Sequence, residues 1–431
     1  MTDSVRYSGC ADSVAALRYS LQNELVAVLV AAGLTLLSPP VGAQAPSVCE
    51  ATDYGVRPEG NDNLNALRRA LQACGGKTLH IAAGTYELSP KGFDVGLTVP
   101  AGTVVMGDGR DGPQQTILRV ETGGNLHSVL WIRNVSHVAV HGIRFEGSTY
   151  ESGCARHLDY GHAIYIHSDA GQGARVADID ISANAFYNFN GQNWIAVNAQ
   201  DGSPGVANVR INGNSFESDR RLQGSCAGTD ITHATDMVAL HGSDQSAHGQ
   251  VSDVSVASNT FNAAYVNTAV AAFSGTTRIL VENNTVRDVG RGLPQAAGIE
   301  LGSYAVLIYN SAHELPGLHP DVVAVTGNEI TNPVSCGVYV AGAADLTISG
   351  NRISGQSDRF DDTLPKAAIA LNHALRVRVL SDNELRNNYL GISSVASELN
   401  LGNNRIDPAA GGRTSKIIRG TPGWSQQRPP N

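Results

Sequence analysis

The sequence predicts a right-handed parallel β-helix, an all-β solenoid of stacked three-strand coils with a groove along one side. Three observations carry this. One phrase recurs eight times: an apolar-alternating strand, then Asn, any residue, and Phe, Ile, Val or Leu. The interval between recurrences varies while the phrase does not. The composition, with 47 glycines and 16 % charged residues in 431, is not that of a mostly helical protein.

The instances are DISANAF, RINGNSF, SVASNTF, LVENNTV, AVTGNEI, TISGNRI, VLSDNEL and LGNNRI. Their asparagines are Asn184, Asn214, Asn259, Asn284, Asn328, Asn351, Asn383 and Asn404. The separations run from 21 residues (Asn383 to Asn404) to 45 (Asn214 to Asn259). A constant phrase at a variable interval is a fixed structural unit carrying loops of variable length. An apolar period of two makes its elements strands. The shorter units have no room for a helix, which excludes βαβ topology. Three short strands per unit then stack with a coil spacing of about 4.8 Å. Equivalent asparagines come into line and their amides hydrogen-bond along the axis. Asn also tolerates the left-handed backbone of a tight turn. A β-sandwich gives no reason for Asn at one phase eight times.

Residues 63–74 place Leu64, Leu67 and Leu71 on one helical face, a cap for the open end of the stack. An uncapped end would expose strand edges. Residues 25–37 (LVAVLVAAGLTLL) are too short to span a bilayer. They fit a signal-peptide core, and small residues follow in VGAQA. The stretch before them is long and not basic, with Arg6 and Arg18 set against Asp3, Asp12 and Glu24; a buried N-terminal helix is the alternative. The expected organisation is a leader over 1–43, a β-helix over 44–410 and a tail over 411–431. The mature protein would be secreted or periplasmic, with no membrane attachment. The formal charge of −9 argues against nucleic acid as a partner. It weighs weakly against a polyanionic substrate, because a local basic groove overrides a net value.

Of six cysteines, Cys10 falls in the leader. Cys49 and Cys74 flank the cap helix, and Cys154 and Cys226 lie in two Gly-rich loops; both pairs are expected disulfides of an exported protein. Cys336 begins an apolar strand and reads as a buried thiol. No Cys/His spacing suggests zinc.

The segment ATDYGVRPEGNDNLNALRRALQACGGKTLHIAAGTYEL, residues 51–88, resembles the N-terminus of the pectate-lyase-like β-helix superfamily. The shared pattern is a D-Y-G turn, a D-rich link, an amphipathic helix ending near Cys, and a strand leading to A-G-T-Y. Asn61-Asp62-Asn63 stands where the superfamily often has D-D-T, and Ala83 where it often has Pro. With the Asn phrase, the resemblance spans most of residues 48–406. It is specific for fold and weak for function, since the superfamily holds lyases, hydrolases, epimerases and phage tailspikes. It implies that the Asn ladder occupies the turn after the second strand of each coil. It also implies that the strand after each long loop faces the substrate groove.

Those groove strands align as VLWIRN (129–134), HAIYIH (162–167), NWIAVN (193–198), DMVALH (236–241), TAVAAF (268–273), AGIELG (297–302), CGVYVA (336–341) and AAIALN (367–372). Alternation turns Ile164, Ile166, Ile195, Val197, Val238 and Leu240 inward. An outer column then holds Arg133, His167, Asn198, His241 and Phe273. A second holds Trp131, Tyr165, alanines, Glu300 and Tyr339. Trp194 lies one step upstream on its strand, and Asp236 at a strand start.

These residue types fit elimination from a uronate-containing polysaccharide. His167 or His241 would be the base and Tyr165 the acid. Asn198 and Arg133 would neutralise the carboxylate and steady the developing enolate. Trp131, Trp194, Tyr339, Asp236 and Glu300 are candidate substrate contacts. So are Arg156, His157, Asp159 and Tyr160 of the long loop 146–161, which with loop 217–235 would wall the groove. A glycosidase instead needs two carboxyl groups about 5–10 Å apart; Asp159, Asp230, Asp236, Asp244 and Glu300 are available but form no tight pair. No calcium-type aspartate cluster is evident, so no metal or other cofactor is expected, Ca2+ being the one candidate. A glycoside hydrolase and a non-catalytic glycan-binding solenoid are the competing readings.

Overall fold

Three ladders of parallel strands run the length of the chain. The first pairs Val138–His141, Val176–Ser182, Val206–Asn212, Val251–Ala257, Thr276–Glu282, Asp321–Thr326, Ala344–Ser349 and Leu375–Ser381 in that order. The second is short-stranded: Ile143–Glu146, Ala185–Tyr187, Ser215–Glu217, Thr260–Asn262, Thr285–Arg287, Glu329–Thr331 and Arg352–Ser354. The third pairs Ser128–Arg133, His162–Ser168, Asn193–Ala199, Asp236–His241, Thr268–Ala272, Tyr304–Tyr309, Cys336–Ala341 and Ala367–Asn372. One strand of each kind per coil, each pairing with its equivalent in the next, is a parallel β-helix. This computed structural model describes residues 47–418 except 61, 122–123, 148–160, 172, 190, 219–235, 293–302, 311–317, 358–365, 396 and 398.

The recurring phrase explains the core. Its last residue points inward and stacks on its equivalent in the next coil. Phe145, Phe186, Phe216 and Phe261 follow one another with ring centroids 5.2, 4.8 and 4.6 Å apart, and Val286, Ile330 and Ile353 continue the file. Burying each phenylalanine is worth about 1.5–3 kcal/mol. Each ring pair adds about 0.5–1.5 kcal/mol.

The Asn before it closes the corner. Asn184 N–H donates to Asn214 Oδ1 at 2.9 Å, and Asn214 N–H to Asn259 Oδ1 at 2.8 Å. The relay continues through Asn284, Asn328, Asn351 and Asn383 to Asn404. Side-chain nitrogens donate to carbonyls, as Asn214 Nδ2 does to Ile181 at 2.8 Å. The left-handed backbone lies one residue earlier than expected, at Ala183, Ser258, Asn283 and Asp382. The ladder Asn is therefore selected for its amide, which satisfies buried backbone donors, and not for its backbone tolerance.

The helix Leu64–Ala73 buries Leu64, Leu67 and Leu71 with Ala66 and Ala70, in the same cluster as the strand core. The expected Cys49–Cys74 bond is not formed; the two thiols lie in hydrogen-bonding reach of each other. Burial pushes the Cys74 thiol up to about 11, which suppresses the thiolate that oxidation requires. Cys336 is a buried thiol, pushed up to about 12 by burial. Cys154 and Cys226 lie outside the described residues. Pairing continues past the expected boundary at 410, because Arg405–Ile418 runs beside Glu384–Val395 as far as Val395 opposite Ile418. The leader also lies outside the described residues. Among the described residues no helix is long and apolar enough to cross a membrane.

Candidate functional site

The outer face of the third ladder carries three side-chain columns. In one, Arg133, His167, Asn198 and His241 are in direct register. Phe273 comes next, its ring parallel to His241 at 4.2 Å and 5°. Tyr309 and then Ala341 and Asn372 complete the column. The second column runs Trp131, Tyr165, Ala196, Ala239, Ala271, Leu307, Tyr339 and Ala370. The strand expected at 297–302 is instead Tyr304–Tyr309, so Leu307 holds the place assigned to Glu300. Both segments alternate apolar residues; the pairing of Thr268 with Tyr304 fixes which one is the rung. Glu300 itself lies outside the described residues.

The third column lies at the strand starts, where the phase shared by His162, Asn193 and Asp236 was expected to face inward or sit at a corner. Asn193, Asp236, Thr268, Tyr304 and Cys336 are in register at the strand starts, with His162 at the equivalent start one coil earlier. Tyr304 and Cys336 pack with Ala271, Leu307 and Ala370 in a cluster separate from the solenoid core, which puts this column on the outer side. The chain turns its corner just after it. The next residue, Trp194, therefore points inward: it is fully buried between Phe189 and Phe216. Trp194 is a core residue and not a sugar contact.

The chemistry concentrates around His167. Its Nε2 lies 2.9 Å from Asp169 Oδ1. Asp169 Oδ2 accepts from Arg133 Nε at 2.6 Å and from Asn134 Nδ2 at 2.5 Å. The Arg133 guanidinium also sits 4.8 Å over the Trp131 ring. On the other side His167 stacks on Tyr165 at 5.1 Å, Tyr165 on His162 at 4.9 Å, and His127 on Trp131 at 4.9 Å. His127 and Asp169 were missed because both fall outside the aligned strands. The signals available were only their nearness in sequence to Trp131 and His167.

Burial sets the protonation states. It drives His162 and His241 down to about 4 and lowers His127 and His167 as well, so these imidazoles are neutral at neutral pH. Burial raises the Tyr165 phenol to about 12, helped by the Asp169 charge. Arg133 and Asn134 offset the burial of Asp169 and hold its carboxyl below the usual range. Asp236 is the opposite case: burial raises it to about 7, and its Oδ1 has no partner. With its amide nitrogen turned toward Asp236, Asn193 donates to Oδ2 at 3.2 Å. Tyr339 is raised to about 12 by burial and rests 5.0 Å from Tyr304. Arg156, His157, Asp159 and Tyr160, and most of loop 217–235, lie outside the described residues. Among the described residues no group of three or more His, Cys, Asp or Glu could hold a metal ion.

A sequence profile for the right handed beta helix region matches residues 273–414. The fold is a right-handed parallel β-helix. Two structures of the surface adhesin PfbA of Streptococcus pneumoniae superpose on this β-helix with TM-scores of 0.56 and 0.58 at 16 % identity, covering 88 % and 86 % of it and 97 % and 100 % of theirs. The A-module of the Azotobacter vinelandii mannuronan C-5 epimerase AlgE4 does so at 0.52 and 16 % identity, covering 87 % of this chain and 98 % of its own. No curated protein matches the sequence. The resemblance to pectate-lyase-like proteins therefore holds at the level of fold. The profile match begins at Phe273, beyond the His167 cluster.

Proposed function

We propose that the protein is an exported polysaccharide lyase acting on a uronate-containing glycan. The observation that carries this is the cluster of a neutral imidazole, an un-ionised phenol and an arginine on one groove face. In the proposed step His167 takes the proton from the carbon beside the carboxylate. The C–H electron pair forms the new carbon–carbon double bond. The neighbouring carbon–oxygen bond breaks, and its oxygen takes the proton of Tyr165. Arg133 and Asn198 hydrogen-bond the carboxylate, where charge develops. The neighbouring fold of a mannuronan C-5 epimerase is consistent with proton removal at such a carbon, as a matter of fold only. A neutral His167 loses activity as pH falls through its lowered value, so the acid limb of kcat/KM should lie below 6.5.

Asp236 favours a second reading. A buried carboxyl raised to about 7 is a competent general acid for a hydrolase. The test is a panel of acidic glycans, followed by ultraviolet absorbance of the unsaturated product and by new reducing ends. Reducing ends without absorbance would replace the lyase reading with hydrolysis. Glycan retention with neither signal would leave a binding solenoid, the role in the name of the adhesin PfbA.

A further inference from the structure

We propose that Asp169 is the positioning residue for His167: together with Asn134 and Arg133 it fixes the imidazole with its proton on Nε2, and Nδ1 is the atom that accepts the substrate proton. The second half of this statement rests on the lyase reading; the first does not.

Asp169 is not on the groove strand. It sits at the turn after it, and its place is over-determined by the preceding coil. Asn134 Nδ2 donates to Asp169 Oδ2 at 2.5 Å, and Asp169 N–H donates back to Asn134 Oδ1 at 2.8 Å. The Asn134 N–H in turn donates to the His167 carbonyl at 2.9 Å. Asn134 holds a left-handed backbone, φ 56°, to make these contacts; that conformation is uncommon outside glycine and most tolerated by Asn and Asp. One asparagine thus grips the chain at both His167 and Asp169, and Arg133 closes the clamp on Oδ2 at 2.6 Å.

The consequence for the ring is chemical. An ionised carboxylate only accepts hydrogen bonds. A neutral imidazole bonded to it through Nε2 must carry its proton there, and its lone pair is on Nδ1. That Nδ1 is buried and meets no partner. An orphaned buried acceptor costs about 1–3 kcal/mol, a cost that a proton donor at Nδ1 would remove. The charged and titratable groups facing the ring are Asp169 and Arg133, with Tyr165 stacked on it and His127 beyond. Of these only Asp169 favours the imidazolium that proton transfer creates; Arg133 opposes it. Asp169 therefore steadies the product of that transfer.

The test uses the full chain with 15N-labelled histidine and no substrate, the His167 signals being assigned by their loss in His167→Gln. At neutral pH the wild-type ring should carry its proton on Nε2. In Asp169→Asn the preference for that tautomer should weaken and the titration midpoint should fall, because a favourable charge is gone. In turnover, Asp169→Asn should lower kcat by on the order of 10²–10⁴ with little change in KM, and Asp169→Glu should recover part of it. A wild-type ring protonated on Nδ1 overturns the proposal without any variant. So does an Asp169→Asn protein whose His167 tautomer and midpoint are unchanged. The expected tautomer with no acidic glycan consumed keeps the clamp and overturns the assignment of Nδ1 as proton acceptor.

Discussion

The two halves of the groove face share one backbone and differ in nearly everything else. From Arg133 to His241 the register column is charged or polar, and Asp169 ties Arg133 and His167 together. From Phe273 onward the same column reads Phe, Tyr, Ala, Asn, and its neighbour reads Ala, Leu, Tyr, Ala, packed into an apolar cluster. The profile match covers only the second half. The ladder is thus common to every coil, whereas the polar and titratable groups of the outer face occupy a few adjacent rungs.

The largest effect is expected in the polar half. His167→Ala should lower turnover on acidic glycan by on the order of 10²–10⁴ while thermal unfolding stays close to wild type. Asn372→Ala, at the far end of the same column, should leave turnover nearly intact. Equal losses would erase the distinction between the halves.

Asp236→Asn tests the buried carboxyl. Its folded pKa of about 7 is raised above the ordinary aspartate value of 3.8. Its contribution to stability is therefore full below that ordinary value and is lost as pH rises through about 7. The variant avoids this loss, so it should gain stability over wild type above neutral pH, by up to about 4 kcal/mol. The gain should vanish near the ordinary carboxylate value of 3.8. Denaturant unfolding at a series of pH values checks both arms.

The Asn ladder should not distinguish the halves. Asn214→Leu and Asn351→Leu each orphan a buried backbone donor in the neighbouring coil. Each should cost about 1–3 kcal/mol by denaturant unfolding; a much smaller cost at one end would show that the coils unfold separately. The smallest effect is at the junction. Phe273→Ala removes the ring stacked on His241, worth about 0.5–1.5 kcal/mol. It should also let the titration of His241 rise toward its ordinary value as burial is relieved.

The fold was legible because it repeats. Eight asparagines at one phase define the coil, and period-two alternation turns Ile164, Val197 and Leu240 inward, as they are found. Alternation failed at the corners. Trp194 precedes Ile195 and yet both face the core, and the ladder register passes from Asn193 to Ile195 without pairing Trp194. It failed again where two apolar segments compete for one rung, and Tyr304–Tyr309 displaced the segment holding Glu300. The site was legible only as far as it lay on strands. Tyr165, His167, Asn198 and His241 follow from register. Asp169 stands two residues past His167 and His127 four before Trp131, both outside the aligned strands; the hold of Arg133 and Asn134 on Asp169 spans 36 and 35 positions, a distance set by loop length and invisible to a periodic pattern.

The asparagine relay has a consequence for how such a chain can change. Each rung offers the next an acceptor and receives the same from behind, with one residue type serving both roles. The joint is self-complementary. Cutting the relay at any rung and rejoining it one coil away restores the same bonds, so whole coils can be gained or lost in a single recombination without redesigning a corner. Length is then a nearly neutral trait of this architecture. The polar cluster around His167 can then stay fixed while rungs are added or lost elsewhere in the stack.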